Sequence, residues 1–180
     1  MKLLVASDIH GSLPAAKRLL ELAREHEPAA VVLLGDILYH GPRNPIPDGY
    51  APAEVAVALA PLANRVIAVR GNCDSDVDAM VLPFPLAPDF AWLLDGPLRI
   101  FATHGHLHGP DNLPPLAEGD ALLFGHTHMP LARTTAEGIY LCNPGSLAMS
   151  KEDHPSCYGL FEDGVFSVFT LEGELYLRLD

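Results

Sequence analysis

Cysteine is scarce in this chain, and what there is forms no pattern. Cys73, Cys142 and Cys157 make an odd count with no CxxC pair. That excludes a disulfide framework and a thiolate zinc knuckle. Long apolar runs are missing too, since no stretch approaches the roughly 18 residues of a membrane helix. The N-terminal run from Met1 to Ala6 meets Asp8 and His10 before it reaches the length of a signal-peptide core. Basic residues are few, 11 Lys and Arg against 23 Asp and Glu, for a formal charge of -12. Such a field repels nucleic acid and argues against stable nucleic-acid binding. It leaves a phosphate substrate open, because bound divalent cations reverse the potential locally. These absences set the expectation of a cytoplasmic protein with reduced thiols and no membrane partner.

What is present fits one domain over residues 1–180. Hydrophobic residues make up 49% and charged residues 19%, the balance of an ordered globular chain with a core of its own. Lys2 to Ala6 reads as a strand. Leu13 to Glu27 has helical spacing, with Ser12 as N-cap, Pro14 in the first turn and Pro28 as stop. Ala30 to Leu34 is a short β-branched run that reads as a strand buried on both faces. Ala53 to Leu62 is a second amphipathic helix and Val66 to Val69 a third buried strand. This alternation implies parallel strands with right-handed crossovers.

After a short helix over Asp74 to Val81 the pattern turns to strands: Ala91–Leu94, Arg99–Thr103, Ala121–Phe124, Ile139–Cys142, Tyr158–Phe161, Val165–Leu171 and Glu174–Leu179. Asp163-Gly164 and Glu172-Gly173 read as hairpin turns. A parallel half followed by a meander predicts two packed sheets with helices outside. Trp92 is expected in the core, and the apolar later strands offer a face for a homo-oligomer.

Five blocks share one logic, an apolar strand followed by a polar turn holding metal-ligand side chains. They are Asp8-Ile-His10, Gly35-Asp36, Gly71-Asn72-Cys73-Asp74, Thr103-His104-Gly-His106 and Gly125-His126-Thr-His128. Ligands gather at the carboxyl ends of parallel strands, so blocks distant in sequence can meet. Each block alone has an ordinary reading as a polar turn. Their conjunction does not, because five of nine histidines fall in such turns. Carboxylate, imidazole and amide oxygen without thiolate suit Mn2+, Fe, Zn2+ or Co2+ in a working site rather than a structural zinc. Asp36, ending a buried strand with no base before Arg43, is tolerable there if cations meet it.

The ordered series D-x-H, G-D, G-N-x-D, H-G-H and G-H-T-H resembles that of the calcineurin-like metallophosphoesterases. Within them the chain is similar to the small bacterial YfcE-type phosphodiesterases. The likeness extends to His40-Gly-Pro-Arg43-Asn44, Val69-Arg-Gly-Asn-Cys-Asp74 and Asn143-Pro-Gly-Ser146. It implies a four-layer α/β/β/α sandwich of two mixed sheets. It implies two divalent ions, Mn2+ first with Fe, Zn, Co or Ni as alternatives. Asp8, His10, Asp36 and His128 would hold one ion, and Asp36, Asn72, His104 and His126 the other. A bridging hydroxide would then attack a small phosphodiester substrate in line.

Asn72, Cys73 and His104 are the catalytic candidates, and Arg43, Asn44, Arg70 and His106 the substrate-binding ones. Asp74 is the nearest acceptor for orienting the imidazoles. Many relatives carry histidine, a proton donor, where this chain has Cys73; the thiol either donates or packs, and His106, His40 and bound water are the other donors. Two rivals accompany this reading. One is a phosphomonoesterase or protein phosphatase on the same site. The other is a non-catalytic scaffold similar to vacuolar sorting protein 29, from which the complete set of seven ligand positions separates this chain.

Overall fold

A computed structural model describes residues 1–86 and 88–179. In chain order the elements are β1 (Leu3–Ala6), α1 (Leu13–His26), β2 (Ala30–Leu33), α2 (Pro52–Leu59) running into a 3-10 turn (Ala60–Arg65), and β3 (Val66–Ala68). Then come α3 (Asp76–Val81), β4 (Phe90–Asp95), β5 (Leu98–Thr103), β6 (Ala121–Leu123), β7 (Pro130–Thr134), β8 (Tyr140–Pro144), β9 (Cys157–Glu162), β10 (Val165–Thr170) and β11 (Leu175–Arg178).

One sheet has the order β11-β10-β9-β1-β2-β3 and the other β4-β5-β6-β8-β7. Both are mixed. β1, β2 and β3 run parallel while β9 joins β1 antiparallel. In the second sheet β5, β6 and β8 are parallel, with antiparallel β4 and β7 at the edges.

Side-chain alternation along each strand builds the layers. Leu4 and Ala6 of β1 face α1 and α2, joining Leu19, Leu22, Val55 and Leu59. Leu3 and Val5 face the other way and meet Ile100, Leu123 and Cys142 of the second sheet. Leu122 and Phe124 point outward from that sheet, against Phe101, Leu116 and Leu131. The result is the expected layered sandwich, with its outer layer on the second sheet made of irregular chain.

Local signals behave as read. Ser12 caps α1, accepting from Ala15 N, and Glu27 ends it in the left-handed region at φ 47°. Asp163 and Gly164 both take positive φ in the β9–β10 hairpin, as a tight primed turn requires. One expectation fails, and one strand goes unread. Trp92 lies on edge strand β4 and is 41% exposed, its ring edge-on to Phe101 and beneath the Arg99 guanidinium. β7 goes unread because it opens on Pro130 and ends in Arg133 and Thr134, a half-solvated edge strand with no apolar run.

The ends of β2 and β3 touch through glycine. A Cβ on Gly35 (φ +95°) would lie 2.5 Å from Gly71 N and 2.6 Å from Gly71 Cα. No side chain fits, and backbone on both sides leaves nothing to yield. Gly35→Ala is expected to destabilise the protein by about 1–3 kcal/mol through strain and overpacking. A urea-denaturation midpoint equal to wild type would show that the two turns can separate without cost.

Candidate metal centre

β1, β2, β3, β5 and β6 are all parallel within their sheets, so their carboxyl ends gather along one edge. Asp8 and His10 follow β1, Asp36 follows β2 and Asn72 follows β3. His104 follows β5, and His126 and His128 follow β6. The structure brings all seven together. Among the described residues nine other than glycine have positive φ, and five of them are Asp8, His10, Asp36, His126 and His128. Left-handed backbone is uncommon for such residues and costs free energy. Its concentration here marks turns shaped by what the side chains do.

The imidazoles are oriented by backbone carbonyls. His10 Nδ1 lies 2.8 Å from Tyr39 O and His104 Nδ1 2.7 Å from Leu34 O, with His128 Nδ1 against Met149 O. Each Nδ1 donates, so each neutral ring turns the lone pair of Nε2 inward. Those lone pairs meet other acceptors. His10 Nε2 is 3.3 Å from His128 Nε2, and both face Asp8 Oδ1 at 3.5 and 3.3 Å. His104 Nε2 is 3.1 Å from Asn72 Oδ1 and 3.2 Å from His126 Nδ1. Asp36 Oδ2 lies between the groups, 3.7 Å from His10 Nε2 and 3.4 Å from His104 Nε2.

Asp8 Oδ1 is buried with no hydrogen-bond partner. Its other oxygen accepts from Ser7 Oγ and His126 N. A buried carboxylate oxygen ringed by lone pairs demands positive charge. Oxygen and imidazole donors in this arrangement fit divalent cations.

In the metal-free protein protons take that role. Burial opposes charge on His104, but Asp36 and Asp8 outweigh it and hold the imidazole up at about 9 against an ordinary 6.5. His10 is raised in the same sense, against burial, by Asp8 above all. His126 is pushed down by burial and by His104 beside it. Asp8, although buried, is held well below the usual carboxylate range by His10 and His128.

Around this cluster the turns are fixed by polar side chains with no lone pair directed at it. Asp74 does not orient an imidazole, as its position in sequence suggested. Its carboxylate accepts from Asp36 N at 2.8 Å, Ile37 N at 2.9 Å and Gly71 N at 2.7 Å. It staples the turn after β2 to the turn after β3. Buried Asn143 donates to Gly125 O and Thr127 Oγ1, bracing the His126 turn. Ser146 Oγ donates to Asp8 O, so the Asn143–Ser146 segment supports the cluster as a buried turn beside it.

The remaining expectations divide. Arg43 and Asn44 line a cleft of about 770 Å3 over the cluster, together with Asp36, Asn72, Cys73, His126 and His128. Asn44 Nδ2 is committed to His40 O, which shapes the loop. Arg70 is a correction: it donates to Asp74 O and pairs with Asp76 at 2.9 Å, and does not line the cleft. His106 lies beside the cluster, 5.4 Å from the His104 ring and 6.2 Å from that of His126, and is likewise not a cleft residue. Lys151 and Met129 line the cleft but went unread, since neither sits in a strand-end motif.

Comparison with known proteins agrees with this architecture. Residues 1–163 match the calcineurin-like phosphoesterase superfamily domain. Phosphodiesterase YfcE of Escherichia coli strain K12 is 51% identical over 174 residues, covering 97% of this chain and 94% of that protein. A solved structure of Yfce from E. coli, described as a phosphoesterase, superposes with a TM-score of 0.97 at 49% identity, covering 99% of this chain and 98% of that one. Vps29 of Chaetomium thermophilum has a TM-score of 0.68 at 18% identity, covering 99% and 97%, a likeness of fold alone.

Because His104 is raised from 6.5 to about 9, its proton stabilises the metal-free fold fully below pH 6.5, and that stability is lost as pH rises through 9. A cation needs the same nitrogen unprotonated. Calorimetric titration of Mn2+ into metal-free protein at pH 7 should therefore release protons, read as heats that vary with buffer ionisation enthalpy. Heats independent of buffer would contradict this charge balance.

Proposed function

The chain belongs to the calcineurin-like phosphoesterase superfamily, and from that premise we propose that it is a binuclear metal-dependent phosphodiesterase acting on a small phosphodiester. The observation that carries the reading is the convergence of seven metal-ligand side chains at one edge, with Asp8 Oδ1 buried among them and without a hydrogen-bond partner. Asp8, His10, Asp36 and His128 would hold one divalent ion; Asp36, Asn72, His104 and His126 would hold the other. Mn2+ suits this oxygen and nitrogen set best, with Fe, Zn, Co or Ni as alternatives. Such ions, when bound, supply Lewis acidity toward phosphoryl oxygens and lower the pKa of coordinated water.

The chain's own residues do the rest. Asp36 supplies charge to both positions, and its Oδ1 is held by Cys73 N at 2.8 Å. Asn72 offers a neutral oxygen, which limits the negative charge of the cage. Arg43 and Lys151 stand in the cleft, where their cations favour a phosphate anion. His106 stands beside His104, with 5.4 Å between ring centres. The three free thiols are consistent with a reducing, cytoplasmic setting. A full donor set favours an enzyme over a scaffold that shares only the fold.

Cys73 packs rather than donates. Without cations at the cluster, burial first and Asp36 second push its thiol up to about 12, which favours packing over donation. Its sulfur accepts from Asn72 Nδ2 at 3.2 Å, an orienting contact. Cys73→Ala is expected to keep the rate on p-nitrophenyl esters within about tenfold. A loss of three orders of magnitude would make the thiol catalytic.

Substrate class is tested directly. Mn2+-loaded protein should hydrolyse bis(p-nitrophenyl) phosphate in clear preference to p-nitrophenyl phosphate, by kcat/KM. Preference for the monoester would replace the diesterase with a phosphomonoesterase, and failure to bind metal would replace the enzyme with a scaffold. Asp36→Asn should remove metal loading and activity together, because one carboxylate serves both positions; full activity in that variant would refute the shared role.

A further inference from the structure

Next to the cleft lies a second concavity that the chemistry above leaves unused. It is a groove of about 800 Å3 between α2 and α3, walled by Leu38, Tyr39, Tyr50, Val57, Cys73 and Val77 among others. Among the described residues Asp78 is the one charged side chain along it, and its Oδ2 already accepts from Ser75 N at the start of α3. Val57 and Val77 stand on the two helices, 75% and 64% exposed. Apolar side chains held in water on both banks of a groove mark a surface with an occupant.

Two residues line groove and cleft alike, Tyr39 and Cys73. Each is tied by its backbone to a donor of the cluster. Tyr39 O accepts from His10 Nδ1 at 2.8 Å, and Cys73 N donates to Asp36 Oδ1 at 2.8 Å. Groove and cleft therefore share a boundary built from residues that the cluster itself positions.

A phosphodiester has a charged phosphorus centre and two ester arms. Cleft and groove divide along that line. Arg43 and Lys151 line the first; the second has apolar walls and no cation among its described residues. We propose that the groove between α2 and α3 is the subsite for one apolar ester arm, aryl or alkyl, of the diester whose phosphate sits in the cleft. This rests on the diesterase reading of the cleft. It selects against substrates whose second arm carries a further phosphate, which would find Asp78 there and no partner. Concave, mostly apolar sites of this size suit a small organic group.

Symmetric dialkyl phosphates test the subsite without turnover, because their alkoxide leaving groups are poor. Dimethyl, diethyl and dibutyl phosphate are titrated calorimetrically into Mn2+-loaded protein. Each methylene buried should tighten binding about fourfold, so dibutyl phosphate should bind wild type more than tenfold better than dimethyl phosphate. Val57→Asp and Val77→Asp, both at exposed positions, should each reduce that gain below threefold. A flat series in wild type, or an undiminished gain in both variants, overturns the subsite. So does a wild-type oligomer that Val57→Asp splits, seen by light scattering, with no chain-length gain; a second copy then fills the groove. A normal gain without hydrolysis of bis(p-nitrophenyl) phosphate refutes the diesterase reading alone, and hydrolysis with a flat series refutes the subsite alone.

Discussion

Metal-ligand atoms that crowd one another at the strand ends are the constraint on which this structure turns. Three of the cluster's histidines give their Nδ1 protons to backbone carbonyls of Tyr39, Leu34 and Met149. That choice fixes the tautomer and leaves Nε2 as an acceptor among acceptors. A fold selected for stability alone would have no reason to bury Asp8 Oδ1 unpartnered. Nor would it place five polar residues in left-handed backbone at one edge. Both costs are recovered when cations enter, and partly when a proton on His104 does so.

The cluster also joins the two sheets. Asp8, His10, Asp36 and Asn72 come from strands of the first sheet, and His104, His126 and His128 from the second. Between the sheets the contact is otherwise apolar, from Leu3 and Val5 to Ile100 and Leu123. Ions bound by donors from both sheets would bridge this interface at its open edge, so metal affinity becomes folding stability by linkage. Asp74, Asn143 and Ser146 complete the arrangement from outside. They hold turn to turn through backbone N–H and C=O groups, which keeps the donors in register when no cation is present.

The sequence made the strand ends legible because one periodicity announced each of them. A β-branched run ending in glycine or a polar turn is a local signal, and Val31 to Asp36 carries it in six residues. β1, β2, β3, β5 and β6, which position every donor, were readable for that reason. Contacts set by tertiary direction were not. Arg70 sits beside Gly71-Asn72 in sequence, yet its side chain turns toward Asp76. Asp74 is as close, and bonds to main chain instead of imidazole. Lys151 reaches the cleft from a segment with no motif. Trp92 is apolar enough for a core and lies on an edge instead. Adjacency along the chain locates a turn, whereas side-chain direction depends on what packs behind it.

Loop His40–Gly49, after Asp36, forms part of the cleft over the donors. Just before it, Tyr39 O orients His10, while the Tyr39 ring stacks near His40, which meets Tyr50 edge-on. Gly41 is pressed against the Cys73 sulfur, where a Cβ would come within 2.9 Å. Arg43 and Asn44 then extend over the cleft. A change of sequence in this loop would alter the cleft rim while leaving the seven donors in place. Asp8, His10, Asp36, His104 and His128 are the buried donors, whereas the loop is proline-rich and partly exposed, which lets it vary without disturbing them.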